Sequence, residues 1–319
     1  MNKSAGVEFI DRGIEFIDRA TGARVVERVH AEGFLHWAYN TDPGSLALRL
    51  MFRRRWFSRA YGWWHDQRWS ASKIARFVEA HDVRIDEALG DLEDFRTFNE
   101  FFTREIDLSK RPLDPDPSAC LAPVDGRVLA YPEVHAGQTF QIKRGVFNLN
   151  SLLADDGLAE RFSGGSMTVS RVHLSDYHHF HFPDSGTPGA PRSIPGVYDA
   201  VSPYAQRRLV PFYAENHRMV TPLESDHFGP MVMVEVGAMT VGSIRQCFTP
   251  QAPVARGDRK GFFELGGSTV VLLFEPGSVD LAQDLLDNSE AGLETYVRMG
   301  DSLGRARNSD DFRILGKKS

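Results

Sequence analysis

Leu265-Gly266-Gly267-Ser268-Thr269 runs directly into Val270-Val271-Leu272-Leu273-Phe274. A hydroxyl follows a glycine carbonyl that no side chain shields, and the apolar run after it has the composition of a buried strand. Two readings fit these residues. In one, the glycines only turn the chain into the strand. In the other, Ser268 attacks the Gly267 carbonyl, the amide becomes an ester, and elimination leaves the new N-terminus as a pyruvoyl group. A serine hydroxyl is a poor nucleophile until a base takes its proton, so the second reading needs a base from elsewhere in the chain.

Histidines are concentrated in one stretch. His173, His178, His179 and His181 all fall within Arg171–Pro183. In an extended chain His179 and His181 share a face and His178 points to the other, whereas in a loop all three converge. Imidazole is a common metal ligand, but the helical His-Glu-x-x-His spacing is absent and no carboxylate sits at ligand spacing. The alternative is acid–base work: a histidine takes the Ser268 proton while Asp125, in Pro123-Val124-Asp125-Gly126, holds the histidine tautomer. Asp-Gly is also a common turn pair, so Asp125 has a purely structural reading too.

Other elements must bring these residues together. From Cys120 onward short apolar or alternating runs are separated by Gly, Pro and Asp. They predict strands at Arg127–Tyr131, Thr139–Lys143, Met167–Leu174, Met231–Val236, Val241–Ile244, Ser268–Phe274 and Thr295–Met299. Before Arg111-Pro112-Leu113 the texture is helical. Pro43-Gly44-Ser45 reads as a helix start, Ser70-Ala71-Ser72-Lys73 as the lead into a short serine-capped helix carrying Ile74, Phe77 and Val78, and Phe95–Arg104 as a helix with Phe98, Phe101 and Phe102 on one side. Glu8-Phe9-Ile10-Asp11-Arg12 echoes in Glu15-Phe16-Ile17-Asp18-Arg19, and the second copy predicts a hairpin turning at Thr21-Gly22. The fold class is α+β: residues 1–111 form a hairpin and a helical region, and residues 112–319 a β-rich body.

All five tryptophans (Trp37, Trp56, Trp63, Trp64, Trp69) lie in one segment with Arg49, Arg53, Arg54, Arg55, Arg59 and Arg68. Arginine for phosphate and tryptophan for the headgroup layer fit an anionic membrane surface. A helical subdomain whose aromatics pack on the main body is the alternative. The net charge of −6 gives no reason to expect nucleic acid. The two cysteines, Cys120 and Cys247, suit a reducing compartment better than a disulfide framework. With no apolar run near the ~20 residues of a membrane span and no signal-peptide pattern, membrane contact is expected to be peripheral.

Several motifs, taken in order, resemble the phosphatidylserine decarboxylases, pyruvoyl enzymes that cleave themselves. They are Pro123-Val124-Asp125-Gly126, Tyr177-His178-His179-Phe180-His181-Phe182-Pro183, Asn216-His217-Arg218, Val236-Gly237-Ala238 with Val241-Gly242-Ser243-Ile244, and Gly261-Phe262-Phe263-Glu264-Leu265-Gly266-Gly267-Ser268-Thr269. Gly33-Phe34-Leu35-His36-Trp37, Gly44-Ser45-Leu46 and Phe57-Ser58-Arg59-Ala60-Tyr61-Gly62 resemble the bacterial branch with a Gly-Gly-Ser-Thr cleavage site. His179 stands where many members carry arginine.

The resemblance implies that Asp125 and His181 form a charge relay activating Ser268. Gly267 then supplies the scissile carbonyl, Ser268 becomes the covalent pyruvoyl cofactor heading a small chain, and His178 serves substrate handling and decarboxylation. It implies conversion of phosphatidylserine to phosphatidylethanolamine at the cytoplasmic face of the membrane. The partners are the anionic surface and the enzyme's own cleaved small chain, with room for a homodimer, no bound metal and no nucleic acid. Weaker alternatives are a pyruvoyl decarboxylase for a soluble aromatic amino acid, an uncleaved lipid-binding module, and a metal-dependent hydrolase built on the histidines.

Overall fold

The computed structural model describes residues 14–27, 33, 41–47, 55–142, 145–196, 216–237, 244–264 and 268–307. The chain begins in a hairpin, β1 (Ile14–Asp18) and β2 (Arg24–Glu27). Gly22, at φ 70°, takes the left-handed turn position that the sequence assigns it. The first copy of the Glu-Phe-Ile-Asp-Arg echo lies outside the described residues.

Short helices follow at Asp42–Ala47, Arg55–His65, Ile74–His81 and Phe98–Phe102. Thr97 caps the last of these by accepting from the Glu100 amide, and Phe98, Phe101 and Phe102 are buried as expected. The expected serine cap is not made, since Lys73 precedes the helix Ile74–His81 and no side chain caps it. Ser70 lies inside a 3-10 turn, Arg68–Lys73, where its hydroxyl donates to the His65 and Gln67 carbonyls and accepts from the Phe98 amide. It therefore ties two helices together instead of starting one.

The body contains β3 (Ala119–Leu121), β4 (Gly126–Val134), β5 (Phe140–Ile142), β6 (Gly145–Phe147) and β7 (Gly165–Val172). It continues with β8 (His179–His181), β9 (Gly186–Pro188), β10 (Arg192–Ile194), β11 (Arg218–Ser225) and β12 (Gly229–Gly237). After these come β13 (Ile244–Gln246), β14 (Arg259–Phe263), β15 (Ser268–Phe274), β16 (Val279–Leu281), the helix Gln283–Glu290, β17 (Glu294–Val297) and β18 (Ser302–Ala306).

The main sheet has the order β10-β11-β12-β15-β7-β4-β17-β1-β2, with β9 also on β11. The N-terminal hairpin thus joins the sheet of the body, through a parallel β1–β17 pair. Ser268, Val270, Leu272 and Phe274 point to one face of β15, and Thr269, Val271 and Leu273 to the other. Val271 and Leu273 pack with Val169, Val234 and Leu152. Val270, Leu272 and Phe274 pack with Phe180, Phe182 and Phe263, which belong to the smaller sheet β13-β14-β8 or border it. This second layer carries the histidines. Gly261 lets it close, since a Cβ there would lie 2.0 Å from the Arg245 carbonyl oxygen and 2.6 Å from the Phe180 ring.

Candidate active site

Ser268 opens β15 between two neighbours, opposite Gly237 of β12 and Val172 of β7. It is fully buried, and its hydroxyl has no hydrogen-bond partner among the described residues. The hydroxyls of Thr168, Ser170 and Thr269 in the same sheet are likewise buried and unpaired among the described residues. Leu265, Gly266 and Gly267, including the expected scissile carbonyl, lie outside the described residues.

The histidines come from the segment that leaves β7 and forms β8. His179 and His181 share a face of β8, as the extended reading expects, and Phe180 points the other way. The His181 Nδ1–H donates to the Gly257 carbonyl at 2.8 Å, so Nε2 carries the lone pair and faces the Tyr177 hydroxyl at 3.2 Å. Burial lowers the His181 pKa, only partly opposed by the Gly257 carbonyl and the charge of Asp125. The ring is therefore neutral at neutral pH.

His178 is built the same way. Its Nδ1 donates to the Asp176 carbonyl at 2.9 Å, while Nε2 is buried with no partner among the described residues. Its ring packs on Phe102, centroids 3.8 Å apart. Burial first, then the nearby Arg104 charge, push its pKa well below the usual histidine value. His178 joins the sheet leading to the cleavage segment, its carbonyl accepting from the Phe263 amide at 3.0 Å. His179 donates through Nε2 to the Thr103 carbonyl at 2.9 Å and stacks between Tyr177 and Phe262, a packing role on the helical side.

Asp125 is buried at the start of β4, where Gly126 lies so close to β7 that a Cβ would meet the Arg171 carbonyl at 2.9 Å. The expected hydrogen bond from Asp125 to a histidine is not made. Its carboxylate accepts from Arg111 Nη1 and Nη2 at 2.6 and 2.9 Å and from the Met299 amide at 2.8 Å. Burial would raise its pKa, but the Arg111 hydrogen bonds and charge outweigh that and hold it below the ordinary carboxylate value. Fixing the His181 tautomer falls to Gly257, and Asp125 reaches the ring only through its field.

Sequence reasoning missed Arg111, Glu87 and Tyr177. Arg111 is clamped by Glu87 as well as by Asp125, and Arg298 closes the chain onto Glu87. Arg111-Pro112 is visible in the sequence only as a boundary. A cavity of about 710 Å³ opens beside this network, lined by Asp125, Arg111, Arg104, Arg127, Tyr177 and Tyr296 among others, but not by Ser268, His178 or His181.

On the helical side Tyr61 and His65 turn inward, His65 ring against Phe98, while Trp63, Trp64 and Trp69 are 63%, 52% and 45% exposed. Trp64 and Trp69 meet edge-on, ring centroids 4.5 Å apart. Lys73 sits over the Trp69 ring. The side chains of Arg53, Arg54, Arg55 and Trp56 lie outside the description.

The family model for phosphatidylserine decarboxylase matches residues 98–305. A phosphatidylserine decarboxylase proenzyme of Chlamydia felis is 40% identical over 293 residues, 92% of this chain and 98% of its own length. Proenzymes of the same name from Desulfitobacterium hafniense (strain DSM 10664 / DCB-2) and Clostridium beijerinckii are 37% and 35% identical over 291 residues, each covering 91% of this chain and 98% of theirs.

Proposed function

Because the chain belongs to the phosphatidylserine decarboxylase family, we propose that it is made as a proenzyme, cuts itself between Gly267 and Ser268, and converts phosphatidylserine to phosphatidylethanolamine and CO2. The observation that carries this reading is the buried Ser268 hydroxyl, unpartnered among the described residues, at the head of a central strand.

His181 is the base for maturation. Its Nε2, which faces the Tyr177 hydroxyl before reaction and must turn toward Ser268, takes the Ser268 proton, Oγ bonds to the Gly267 carbonyl carbon, and the peptide C–N bond breaks with the nitrogen taking the proton. Loss of the Ser268 α-proton with cleavage of the Cβ–O bond frees Gly267 as a carboxylate. Water then replaces the nitrogen, which leaves as ammonia, and residue 268 is a pyruvoyl group. Asp125, held ionised by Arg111, favours the imidazolium that forms on His181. Once formed, a pyruvoyl group at residue 268 would supply a ketone as the electron sink for the pair left by departing CO2. His178, with a free Nε2, orients the substrate and moves the proton at its α-carbon.

In this reading the exposed face of the helical region within residues 1–111 serves the membrane, and residues 112–319 carry the chemistry with support from the β1–β2 hairpin, Phe102 and Arg111. The small chain starting at residue 268 stays bound because β15 lies between β12 and β7. The exposed Trp63, Trp64 and Trp69 with Arg68 and Lys73 are the surface offered to an anionic bilayer at the cytoplasmic face. Among the described residues no helix is long and apolar enough to cross a membrane, which fits peripheral docking. The test is release of CO2 from carboxyl-labelled phosphatidylserine vesicles. The purified protein releases it and Ser268→Ala does not. A cleaved, folded protein that releases none would overturn the substrate assignment.

A further inference from the structure

Lys260 is a fully buried cation that the chemistry above does not use. Its ammonium donates to Glu235 Oε1 at 2.9 Å, Gln246 Oε1 at 2.8 Å and Thr221 Oγ1 at 3.0 Å, so all three protons are satisfied. Gln246 closes the ring by donating to the other Glu235 oxygen at 2.9 Å. Both Lys260 and Glu235 are 0% exposed. The Phe180 and Phe248 rings enclose the ammonium, with centroids 5.4 and 5.1 Å away.

Two of these residues belong to each layer. Glu235 and Thr221 are on β12 and β11 of the main sheet, and Lys260 and Gln246 on β14 and β13 of the small one. Lys260 is also the residue skipped in the pairing of β14 with β8. Arg259 faces His181 and Gly261 faces Phe180, which leaves Lys260 as a bulge. A bulge re-aims a side chain, and a one-residue slip in such a strand moves every side chain to the wrong face. A slip here would displace His181 and the segment running from Phe263 to the cleavage bond together. Glu235 in turn pairs with Val270, and Ser268 lies diagonally across from it on the same face, at a spacing of about 7–8 Å.

We propose that the Lys260–Glu235 pair is a positioning clamp for self-cleavage. It pins the strand delivering the carbonyl side of the 267/268 bond, and the strand carrying His181, against the strands that hold Ser268. Once the bond is cut, it is a noncovalent tie between the two layers. Stability alone does not account for the pair, because a buried ion pair can commonly be replaced by apolar side chains without loss, whereas removing one partner strands the other. The inference rests on the self-cleavage proposed above.

The experiment compares wild type, Lys260→Met and Lys260→Met/Glu235→Met. Cleavage is followed on gels after pulse-labelled synthesis, and thermal melting is measured in an uncleavable Ser268→Ala background. The double variant is expected to melt close to its parent yet cleave on the order of tenfold to a hundredfold more slowly, the loss that misplacing reacting atoms by about an ångström produces. A double variant that melts like its parent and cleaves at the wild-type rate overturns the clamp. If the double variant does not fold, Thr221→Val, which removes one acceptor at constant shape, decides instead: slower cleavage supports the clamp and an unchanged rate overturns it. Failure of the wild type to cleave would refute self-cleavage itself and is read separately.

Discussion

Removing Arg111 tests the electrostatic core of the site. Arg111→Met leaves the fully buried Asp125 carboxylate with only the Met299 amide, and strips Glu87 of one of its two arginines. Breaking a buried pair from one side costs about 3–5 kcal/mol. At roughly 2 °C per kcal/mol for a chain of this size, melting should fall by about 6–10 °C. The loss must also depend on pH. In the wild type the depressed Asp125 pKa contributes stability above the unfolded-state value near 3.9 and loses it as pH falls. Without Arg111, burial raises that pKa, so the variant pays to ionise the group above pH 4 and is relieved as acid protonates it. The gap between the two proteins should therefore narrow from pH 7 to pH 5. The assay is thermal melting of both in a Ser268→Ala background, which keeps the chain in one piece, with Arg111→Met/Asp125→Asn as the third protein. The third protein should recover much of the loss. A gap below about 1 kcal/mol, or one constant with pH, would mean that Arg111 does not hold Asp125 ionised.

Further outcomes concern the histidines, the layers and the surface. His181→Ala should stay full length, and maturation at the normal rate would remove His181 as the base. His178→Ala should split normally but release little CO2, and a failure to split would give the two histidines a shared role. Because burial keeps His181 neutral, the cleavage rate should hold as pH falls through 6.5 and decline only in more acid solution; a midpoint at 6.5 would indicate a solvent-exposed base. Gly261→Ala should prevent folding or maturation, since its Cβ has no room against Arg245 and Phe180, and a mature, stable variant would contradict the interlayer packing. Replacing Trp63, Trp64 and Trp69 together by Ala should weaken sedimentation with anionic vesicles while leaving self-cleavage intact, and unchanged sedimentation would place docking elsewhere.

The sequence shows the parts of the fold whose patterns are local. β15 occupies Ser268–Phe274, the stretch its apolar β-branched run predicts, and the β1–β2 hairpin turns at its glycine. The strands that carry the site are harder to read. β8 has only three residues, and β14, Arg-Lys-Gly-Phe-Phe, begins with two charges and a glycine, a composition that resembles a loop. β14 becomes a strand because Gly261 permits close packing and Lys260 finds partners on another sheet, and both are tertiary effects. For the same reason the sequence leads to Asp125 and His181 as direct partners. Residue types alone show neither that Arg111 takes both carboxylate oxygens nor that a backbone carbonyl, Gly257, fixes the imidazole. The tryptophan segment allows two readings, and its residues divide between them: Tyr61 packs inward with Phe98 and Phe101, while Trp63, Trp64 and Trp69 are exposed.

Denaturing mass spectrometry of the purified wild-type protein reads the state of the 267/268 bond itself. Two fragments are expected, residues 1–267 ending in a free carboxylate and residues 268–319 beginning with a pyruvoyl group, lighter by one ammonia than a chain beginning with serine and closed to Edman degradation. A single intact chain of 35.8 kDa in folded protein, or a small fragment with a free serine amine, would contradict this expectation.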